Sequence, residues 1–311
     1  MTGTVIAAAV QAAPVWLDRA ATLDKLVGLT EKAAGEGAGL VVFPETFLPG
    51  YPDWVWRCTP WDATSDALFG RMQDQAVVIG SQTTDLLGET AARLGVWLCV
   101  GVDERDPHGS TLYNSLLYFA PDGTLAGTHR KLMPTGAERL VWGMGDGSTL
   151  PVLDTAFGRL SGLICWENYM PLARAALYAQ HVDVYVAPTW DDSDSWVASM
   201  RHIAKEGRMY VIGVNTVQRV TDVPPDVPGH AEHYSGGPDD WMSRGNSVIV
   251  GPDGTVLAGP VRDQEEILLA ELDIVAARRS RQQFDPAGHY SRPDVFQLTV
   301  DTTRRSGVST R

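Results

Sequence analysis

The sequence predicts an α/β fold made of two similar halves whose sheets pack face to face. Apolar stretches typical of buried strands alternate along the chain with amphipathic stretches typical of helices. In addition, "NSLLYFAPDGTLAG" at 114–127 resembles "NSVIVGPDGTVLAG" at 246–259. Each copy predicts a strand, a Pro-Asp-Gly turn and a second strand, because Pro presets φ, Asp bonds its own backbone and Gly accepts a positive φ. Two unrelated hairpins could share the turn, but the shared Asn-Ser and Leu-Ala-Gly flanks favour an internal pseudo-repeat.

The predicted elements follow one another with no Pro-, Gly- or Ser-rich linker between the halves. We therefore expect one domain over residues 1–290 and a C-terminal tail over residues 291–311. Strands are predicted at 5–13, 39–43, 96–102, 160–164, 182–187 and 210–214. Helices are predicted at 18–36, 82–94, 171–180, 194–208 and 274–283, with Asp18 as the first N-cap and Gly37 as the first stop. The Trp-rich segment 50–65 and the segment 220–240, rich in Pro, Gly and His, are predicted to be long loops.

The composition argues against several classes of partner. The chain has 311 residues, 44% of them hydrophobic, which is enough for a large core. Its formal charge of -13 repels nucleic-acid phosphates and anionic lipids, so we expect neither as a partner. No apolar run approaches the roughly 20 residues that span a bilayer. The N-terminal "VIAAAVQAA" follows no basic segment and contains Gln11, which favours a buried strand over a signal sequence.

The three cysteines, Cys58, Cys99 and Cys165, are odd in number and widely spaced. Such usage predicts no disulfide framework and is typical of a reducing compartment, so a cytoplasmic location is expected. No CxxC or His-rich spacing indicates a metal site. Cys99 lies within the apolar "VWLCVGV" and is predicted to be inert and buried.

Cys165 lies where an apolar run stops, in "GLICWENYMP", and Pro171 then opens a predicted helix. A bend from strand to helix lifts a side chain clear of the sheet and points free backbone N–H groups towards it. We expect such a site to lower the pKa of the thiol and to cradle an oxyanion. A small buried hydrophobe is the alternative that this stretch alone allows.

A nucleophilic cysteine requires a base, and Glu45 in "LVVFPETFLPGYP" is the first candidate. It follows an apolar strand at its carboxyl end, where α/β sheets place their ligands. Beside Phe43 and Phe47 its carboxylate should be partly desolvated, which raises its pKa towards the range of general acid–base catalysis. A helix cap or a salt-bridge partner is the alternative for Glu45 in isolation.

The stretch "THRKLMPTGAERLVWGMGDGS" supplies a cation and a second carboxylate. Lys131 precedes Leu132 and Met133, an unusual place for a solvated lysine, and strand alternation points it the same way as His129. Glu138 follows in a loop bounded by glycines and is a candidate for a second active-site carboxylate. "GMGDG" lacks the strand and helix that flank a phosphate-binding loop.

The stretches "FPETFLPGYP", "HRKLMPTGAERLVWGMGDG" and "CWENYMP", in this order and at wide spacing, resemble the nitrilase superfamily, and specifically its nitrilase branch. The resemblance continues nearly to the C-terminus and implies a four-layer α-β-β-α sandwich. Carried over, its catalytic triad is Glu45, Lys131 and Cys165, with Glu138 as the second glutamate often counted with them. The Trp-Glu after Cys165 resembles the nitrilase pattern, whereas amidase relatives more often have Tyr-Asp.

This resemblance implies hydrolysis of a nitrile to a carboxylic acid and ammonia through a covalent thioimidate and a thioester. Glu45 would activate water, and Lys131 with the backbone N–H of Trp166 would stabilise the charge of the tetrahedral species. Neither a metal nor an organic cofactor is expected. The expected partners are a small nitrile and water.

Ten tryptophans are many for this length, and several follow the catalytic motifs. Their recurrence favours an aromatic-lined pocket and an aryl or arylalkyl nitrile, although any single tryptophan is more often a core residue. The predicted substrate-binding set is Trp54, Trp56, Trp61, Trp142, Trp166 and Trp190.

Three other functions remain open from the sequence. An amidase or carbamoylase would use the same triad, and a scaffold without catalysis would not need its intact Glu, Lys and Cys. A Cys-His hydrolase would use a histidine such as His202 in place of Glu45 as the base.

The chain is also expected to assemble with copies of itself. In the tail, Phe296, Leu298 and Val300 alternate with polar residues, as in an edge strand or an arm that crosses to a neighbour. The family resemblance implies dimers that build larger, often spiral, homo-oligomers. We expect at least a dimer, with the tail and the segment 220–240 at interfaces.

Overall fold

The computed structural model describes residues 3–305 and confirms the predicted α/β sandwich, in which two sheets are flanked by helices. The first sheet contains β1 (Thr4–Gln11), β2 (Leu40–Val42), β3 (Trp97–Arg105), β4 (Leu112–Phe119), β5 (Leu125–Arg130) and β13 (Glu266–Asp273), in the order β13-β1-β2-β3-β4-β5. The second contains β6 (Leu153–Asp154), β7 (Arg159–Gly162), β8 (Val184–Thr189), β9 (Tyr210–Asn215), β10 (Val217–Arg219) and β11 (Trp241–Val250), in the order β10-β11-β9-β8-β7-β6. Strand β12 (Val256–Arg262) pairs with β11.

The two halves have the same connectivity, as the repeated hairpin sequence predicts. In the first half, β1, β2 and β3 are parallel, and β4 and β5 continue the sheet antiparallel. In the second half, β7, β8 and β9 are parallel, and β11 and β12 continue it antiparallel. Strand β13 returns from the second half to pair antiparallel with β1 over eight residues of register. This return strand ties the end of the domain to its beginning.

Helices α1 (Arg19–Gly35) and α3 (Gln82–Leu94) form one outer layer, and α4 (Pro171–Tyr178) and α5 (Asp194–Gly207) form the other. The remaining helices are α2 (Ala63–Gln75), α6 (His230–His233) and α7 (Ile274–Ser280). Helix α1 begins as predicted, since the Asp18 side chain accepts a hydrogen bond from the backbone N–H of Ala21. No helix within residues 3–305 combines the length and the apolar character needed to cross a bilayer.

The largest apolar cluster lies between the sheets and takes residues from both of them. Leu116 and Tyr118 of β4 meet Val186 of β8 and Ile212 of β9 there, and all four are fully buried. Separate clusters join the outer face of each sheet to its helices. A catalytic side chain at the inner edge of either sheet therefore faces the other half of the molecule.

The segments predicted to be loops contain more structure than their sequences indicated. Helix α2 begins inside the segment 50–65, capped by Asp62, whose side chain accepts from the Ser65 N–H. Its pattern is weak because only Leu68 and Met72 are buried along it. Within 220–240, Tyr234 is buried and packs edge-on against Trp16, with ring centroids 5.8 Å apart.

The tail does not form the predicted edge strand within residues 291–305, where the backbone has turns and irregular conformation. Phe296, Leu298 and Val300 are 77%, 43% and 39% exposed. The tail returns to the body of the domain, where the backbone N–H of Arg305 donates to Asp146 over 2.7 Å. The last part of the predicted tail, 306–311, lies outside the described residues.

Candidate active site

Glu45 lies in the turn that follows β2, and strand β3 makes room for this turn. The turn runs along β3, with the Phe43 N–H donating to Cys99 O and the Leu48 N–H donating to Gly101 O. A Cβ at Gly101 would overlap Pro44 O and the backbone at Glu45, so only glycine permits this approach. The turn thereby carries the Glu45 side chain into the interior, where it is 1% exposed.

Lys131 joins the two glutamates in a buried charge chain. Its Nζ donates to Glu45 Oε1 and to Glu138 Oε2, each over 2.8 Å. Asn114 Nδ2 donates to the same Glu45 Oε1 over 2.7 Å, whereas Glu45 Oε2 has no hydrogen-bond partner among residues 3–305. Glu45 thus holds a fixed orientation while one carboxylate oxygen stays free to accept a proton.

Glu138 is fixed by its own loop and by an aromatic residue. Its Oε2 also accepts from the Thr135 N–H, which closes a capping box at the start of a short 3-10 turn (Gly136–Leu140). Its Oε1 accepts from the Tyr51 hydroxyl over 2.7 Å, and Tyr51 in turn accepts from Trp56 Nε1 over 3.2 Å. These donors, Tyr51, Lys131 and Thr135, all come from the first half of the chain.

Cys165 comes from the other half, at the bend after β7. Its φ is 53°, a left-handed conformation that is unusual for a residue with a side chain and common at active sites. It opens a 3-10 turn (Cys165–Tyr169), which leads to Pro171 at the start of α4. The Thr189 hydroxyl donates to its Sγ over 3.3 Å. The backbone N–H of Trp166, the next residue, has no acceptor among residues 3–305.

The expected lowering of the thiol pKa is wrong. Burial, followed by the charge of Glu45, raises the pKa of the Cys165 thiol well above its ordinary value, and Lys131 offsets this only in part. Five residues of 3-10 turn cannot supply the dipole of a full helix against that burial. The expectation for Glu45 is confirmed, because burial raises the pKa of its carboxyl. For Lys131, the neighbouring carboxylates outweigh burial and raise the pKa, so its amine stays charged. Because its pKa is raised, the Cys165 thiol keeps its proton at rest and must lose it during attack.

Glu167 bridges the two catalytic turns. Its carboxylate accepts from the Ile164 N–H over 2.8 Å and from the Leu132 N–H over 2.5 Å, and these residues adjoin Cys165 and Lys131. His129 Nε2 lies 2.9 Å from the same carboxylate, and its Nδ1 lies 2.5 Å from Thr149 O. Both ring nitrogens face acceptors, so the ring carries both protons. Burial opposes this charge, but Glu167 raises the pKa of His129. The ion pair holds the nucleophile and the lysine at a fixed separation.

A pocket of about 280 Å³ opens above the Cys165 thiol. Aromatic, acidic and small polar residues line it: Tyr51, Trp56, Thr135, Glu138, Cys165, Trp166, Trp190, Asp191, Asp192 and Met242. The Tyr51 ring stacks on Trp190, with centroids 4.4 Å apart and planes 9° apart. Of the tryptophans predicted to contact substrate, Trp56, Trp166 and Trp190 lie in this wall.

The structure does not bring the other three predicted tryptophans into the pocket. Trp54 is fully buried beside Trp16, with ring centroids 6.3 Å apart. Trp61 is 82% exposed, and with Trp54 it lines a separate cavity. Trp142 lies behind the charge chain, donating to Asp103 Oδ1 over 2.7 Å, with its ring 5.7 Å from Lys131 Nζ. None of the three is part of the substrate pocket, because Trp54 and Trp142 contact other protein groups and Trp61 is exposed to solvent.

Sequence reasoning missed several residues of this site. Tyr51 was hidden among the aromatic residues of its segment, although its place six residues after Glu45 was a usable signal. In the sequence, Asn114 is visible only as the start of the repeated hairpin. His202, the histidine weighed as a rival base, is exposed on α5 and lies 3.6 Å from Glu206. No histidine is among the ten lining residues of the described chain.

Comparison with known proteins gives consistent matches over nearly the whole chain. Residues 6–282 match the family model of carbon-nitrogen hydrolases. An aliphatic nitrilase of Sinorhizobium fredii (strain HH103) is 46% identical over 98% of both chains. A bifunctional nitrilase/nitrile hydratase of Lupinus angustifolius is 43% identical, over 96% of this chain and 86% of its own. The solved structure of Saccharomyces cerevisiae Nit3, a member of branch 10 of the nitrilase superfamily, aligns with a TM-score of 0.72 and 21% identity, over 92% of this chain and 96% of its own.

Proposed function

Because this chain belongs to the carbon-nitrogen hydrolase family and is a nitrilase, we propose that it hydrolyses organic nitriles through covalent chemistry at Cys165. The family resemblance of its three motifs is confirmed. One arrangement carries the proposed mechanism: Cys165 and Glu138 line the same pocket, and Lys131, buried behind this lining, joins Glu138 to Glu45. The products are a carboxylic acid and ammonia.

In the first step, the Cys165 sulfur bonds to the nitrile carbon and one C–N π bond breaks. The thiol proton passes to the free Glu45 Oε2 and from there to the nitrile nitrogen, giving a neutral thioimidate. Water then adds to this carbon as Glu45 takes its proton and returns it to nitrogen. The hydroxyl proton of this tetrahedral species then passes through Glu45 to its nitrogen, the C–N bond breaks, ammonia leaves and a thioester remains. A second water releases the acid and restores the thiol.

Two unused donors support stabilisation of the tetrahedral species. Lys131 Nζ has three N–H bonds, and the structure occupies two of them with carboxylates. The Trp166 backbone N–H is also without an acceptor among residues 3–305. Donors that meet developing charge in a pocket shielded from water contribute roughly 3–4 kcal/mol each in other enzymes.

The aromatic wall supports an aryl or arylalkyl nitrile as the preferred substrate. Tyr51, Trp56, Trp166 and Trp190 offer flat apolar faces, and rings stack on such faces at a gain of about 0.5–1.5 kcal/mol beyond burial. The Sinorhizobium relative is called an aliphatic nitrilase and the Lupinus relative a nitrilase/nitrile hydratase. Substrate class and amide by-product therefore require direct measurement.

We expect purified enzyme to hydrolyse arylacetonitriles faster than alkyl nitriles of similar size and to release little free amide. The measurement is ammonia, acid and amide from a panel of nitriles together with the matching amides. Tyr51→Ala should raise KM for the aryl members more than for the alkyl members, because it removes half of the Tyr51–Trp190 stack. Faster alkyl turnover would refute the aromatic preference. Faster turnover of the amides across the panel would favour the amidase alternative.

We also propose that the protein assembles as a homo-oligomer, from a dimer up to a spiral, with the tail at an interface. Its support is the exposure of Tyr290, Val295 and Phe296, which are 63%, 54% and 77% accessible in the single chain. The apolar residues of 220–240, such as Tyr234, are buried within their own chain, so that segment offers fewer anchors.

Light scattering on the intact chain and on a chain ending at His289 tests this assembly. We expect the intact protein to exceed the mass of a monomer at micromolar concentration and the shortened chain to be smaller. Phe296→Asp in the full-length chain serves as the matched control for nonspecific effects of truncation. A monomeric intact chain would refute the oligomer, and an unchanged assembly in both variants would remove only the tail from the interface.

A further inference from the structure

We propose that the pocket discriminates by charge, accepting neutral and cationic nitriles and disfavouring nitriles that carry a carboxylate. This rests on the proposed function, since the discrimination is exerted on substrates of Cys165. The observation behind it is the pair of neighbouring carboxylates, Asp191 and Asp192, in the wall of the same pocket.

Asp191 is linked to the reacting Cys165 by hydrogen bonds through Thr189 and Trp166. Thr189, whose hydroxyl donates to Cys165 Sγ, precedes Asp191 by two residues, and its Oγ1 accepts from the Asp191 N–H over 2.9 Å. Asp191 Oδ2 accepts from Trp166 Nε1 over 2.9 Å, which fixes it beside the residue that follows Cys165. Asp191 is therefore a built part of the wall.

Asp192 is the less satisfied of the two. Its Oδ2 accepts from the Arg244 N–H over 2.9 Å, whereas its Oδ1 has no hydrogen-bond partner among residues 3–305. The Asp192 side chain is half-buried and lines the pocket, so this unpaired oxygen can accept a hydrogen bond from a bound substrate. A substrate ammonium or hydroxyl could donate to it, whereas a substrate carboxylate could not.

The Arg244 guanidinium lies within electrostatic range of Asp192, but each cation around this wall is already paired with another carboxylate. The lining residues of the described chain include three carboxylates, with Glu138, and no lysine or arginine. Lys131 is shared between Glu45 and Glu138. Arg262 donates to Asp192 O, but its guanidinium pairs with Asp194, and the Arg244 guanidinium pairs with Asp263. A carboxylate entering the pocket therefore meets a surplus of negative charge.

The chemical consequence concerns substrates with two nitrile groups. Hydrolysis of the first group converts a neutral dinitrile into a cyano-carboxylate, which this wall repels. The enzyme should therefore release the half-hydrolysed acid and leave the second nitrile intact. The same repulsion favours departure of every carboxylate product.

The test compares arylacetonitriles that share one scaffold and carry a neutral, anionic or cationic para substituent. For the arylacetonitrile series these are 4-methylphenylacetonitrile, 4-(cyanomethyl)benzoate and 4-(aminomethyl)phenylacetonitrile, with 1,4-phenylenediacetonitrile as the dinitrile. We expect kcat/KM for the benzoate to lie at least about tenfold below that of the neutral member, since partly screened charges at this range interact by about that factor. The cationic member should match or exceed the neutral one, and the dinitrile should accumulate the mono-acid.

Asp192→Asn removes one charge and keeps an acceptor for the Arg244 N–H, so it should narrow the ratio of neutral to anionic turnover several-fold. Asp194→Asn is the matched control, because it removes the same charge from an exposed residue outside the pocket wall. Asp191→Asn provides a second pocket variant should Asp192→Asn fold poorly. Equal turnover of anionic and neutral members would overturn the charge discrimination, as would an equal shift in Asp194→Asn. Failure to hydrolyse any neutral nitrile would instead refute the proposed function itself.

Discussion

Replacing Cys165 with alanine is expected to abolish nitrile turnover, with a loss of at least about 10⁴-fold, the scale seen when other enzymes lose a nucleophile. Without the sulfur, no covalent thioimidate forms, and the remaining groups have only a water molecule to activate. The fold should persist, because the side chain is small and its hydrogen bond is with the Thr189 hydroxyl. Alanine has the same Cβ, so the positive φ of the bend costs no more than in the native chain. Ammonia release and thermal unfolding measure the two parts of this result.

Cys99→Ala is the matched control for Cys165→Ala. Cys99 lies fully buried in β3 among residues of the cluster between the sheets, and burial raises its thiol pKa. Removing it should lower the free energy of unfolding by about 1 kcal/mol through a small cavity and leave turnover in place. Mass spectrometry of enzyme quenched during turnover should find an acyl adduct on Cys165 in the native and Cys99→Ala proteins. Full activity of Cys165→Ala would refute the covalent mechanism.

Glu45→Gln is expected to lower kcat/KM at least about 100-fold, the lower end for loss of a general base. A glutamine can keep its carbonyl oxygen on Lys131 and Asn114, where Glu45 Oε1 now accepts. Its NH₂ group then takes the place of the unpaired Oε2, so a donor stands where the thiol and water need an acceptor. The shape of the side chain is preserved while its basicity is lost.

The pH profile provides an independent readout of the same group. Because the base acts only when ionised, activity should fall as pH drops through the pKa of Glu45, which burial raises above the ordinary carboxyl range. This acid limb should disappear from the residual activity of Glu45→Gln. Glu104→Gln is the control, since Glu104 is an equally buried carboxylate that pairs with Arg130 and accepts from Ser115. An equal loss of kcat in Glu104→Gln would mean that the effect of Glu45→Gln is structural.

Much of the fold was predictable because its signals are local. Apolar stretches and the repeated hairpin located most of the strands, although not β6, β10 or β13. Amphipathic stretches located the larger helices, and helix α3 agrees with the prediction at both ends. Helix α2 was missed because it buries few side chains, and the tail because alternation alone does not provide a strand with a partner. Apolar patterning in a sequence predicts a helix or strand only where that element packs against the rest of the protein.

The site was predictable in its charged residues and less so in its environment. Glu45, Lys131 and Cys165 each interrupt an apolar stretch, which made them visible in the sequence. The prediction of a lowered pKa for the Cys165 thiol was wrong. The sequence shows the bend, but not how deeply the bend is buried or how close Glu45 lies to the thiol. Likewise, Trp54 and Trp61 are near Glu45 in sequence, but the chain turns them away from the pocket.

Because Glu167 joins the two catalytic turns, the enzyme is active only when the two halves are correctly docked. The base, the lysine and Glu138 belong to the first half, the nucleophile belongs to the second, and one carboxylate bonds to the backbone of both turns. A folding intermediate with one finished half would therefore be inactive however native its sheet. During refolding, activity should therefore recover later than secondary structure. The delay between the two signals would measure how long the two sheets take to pack together.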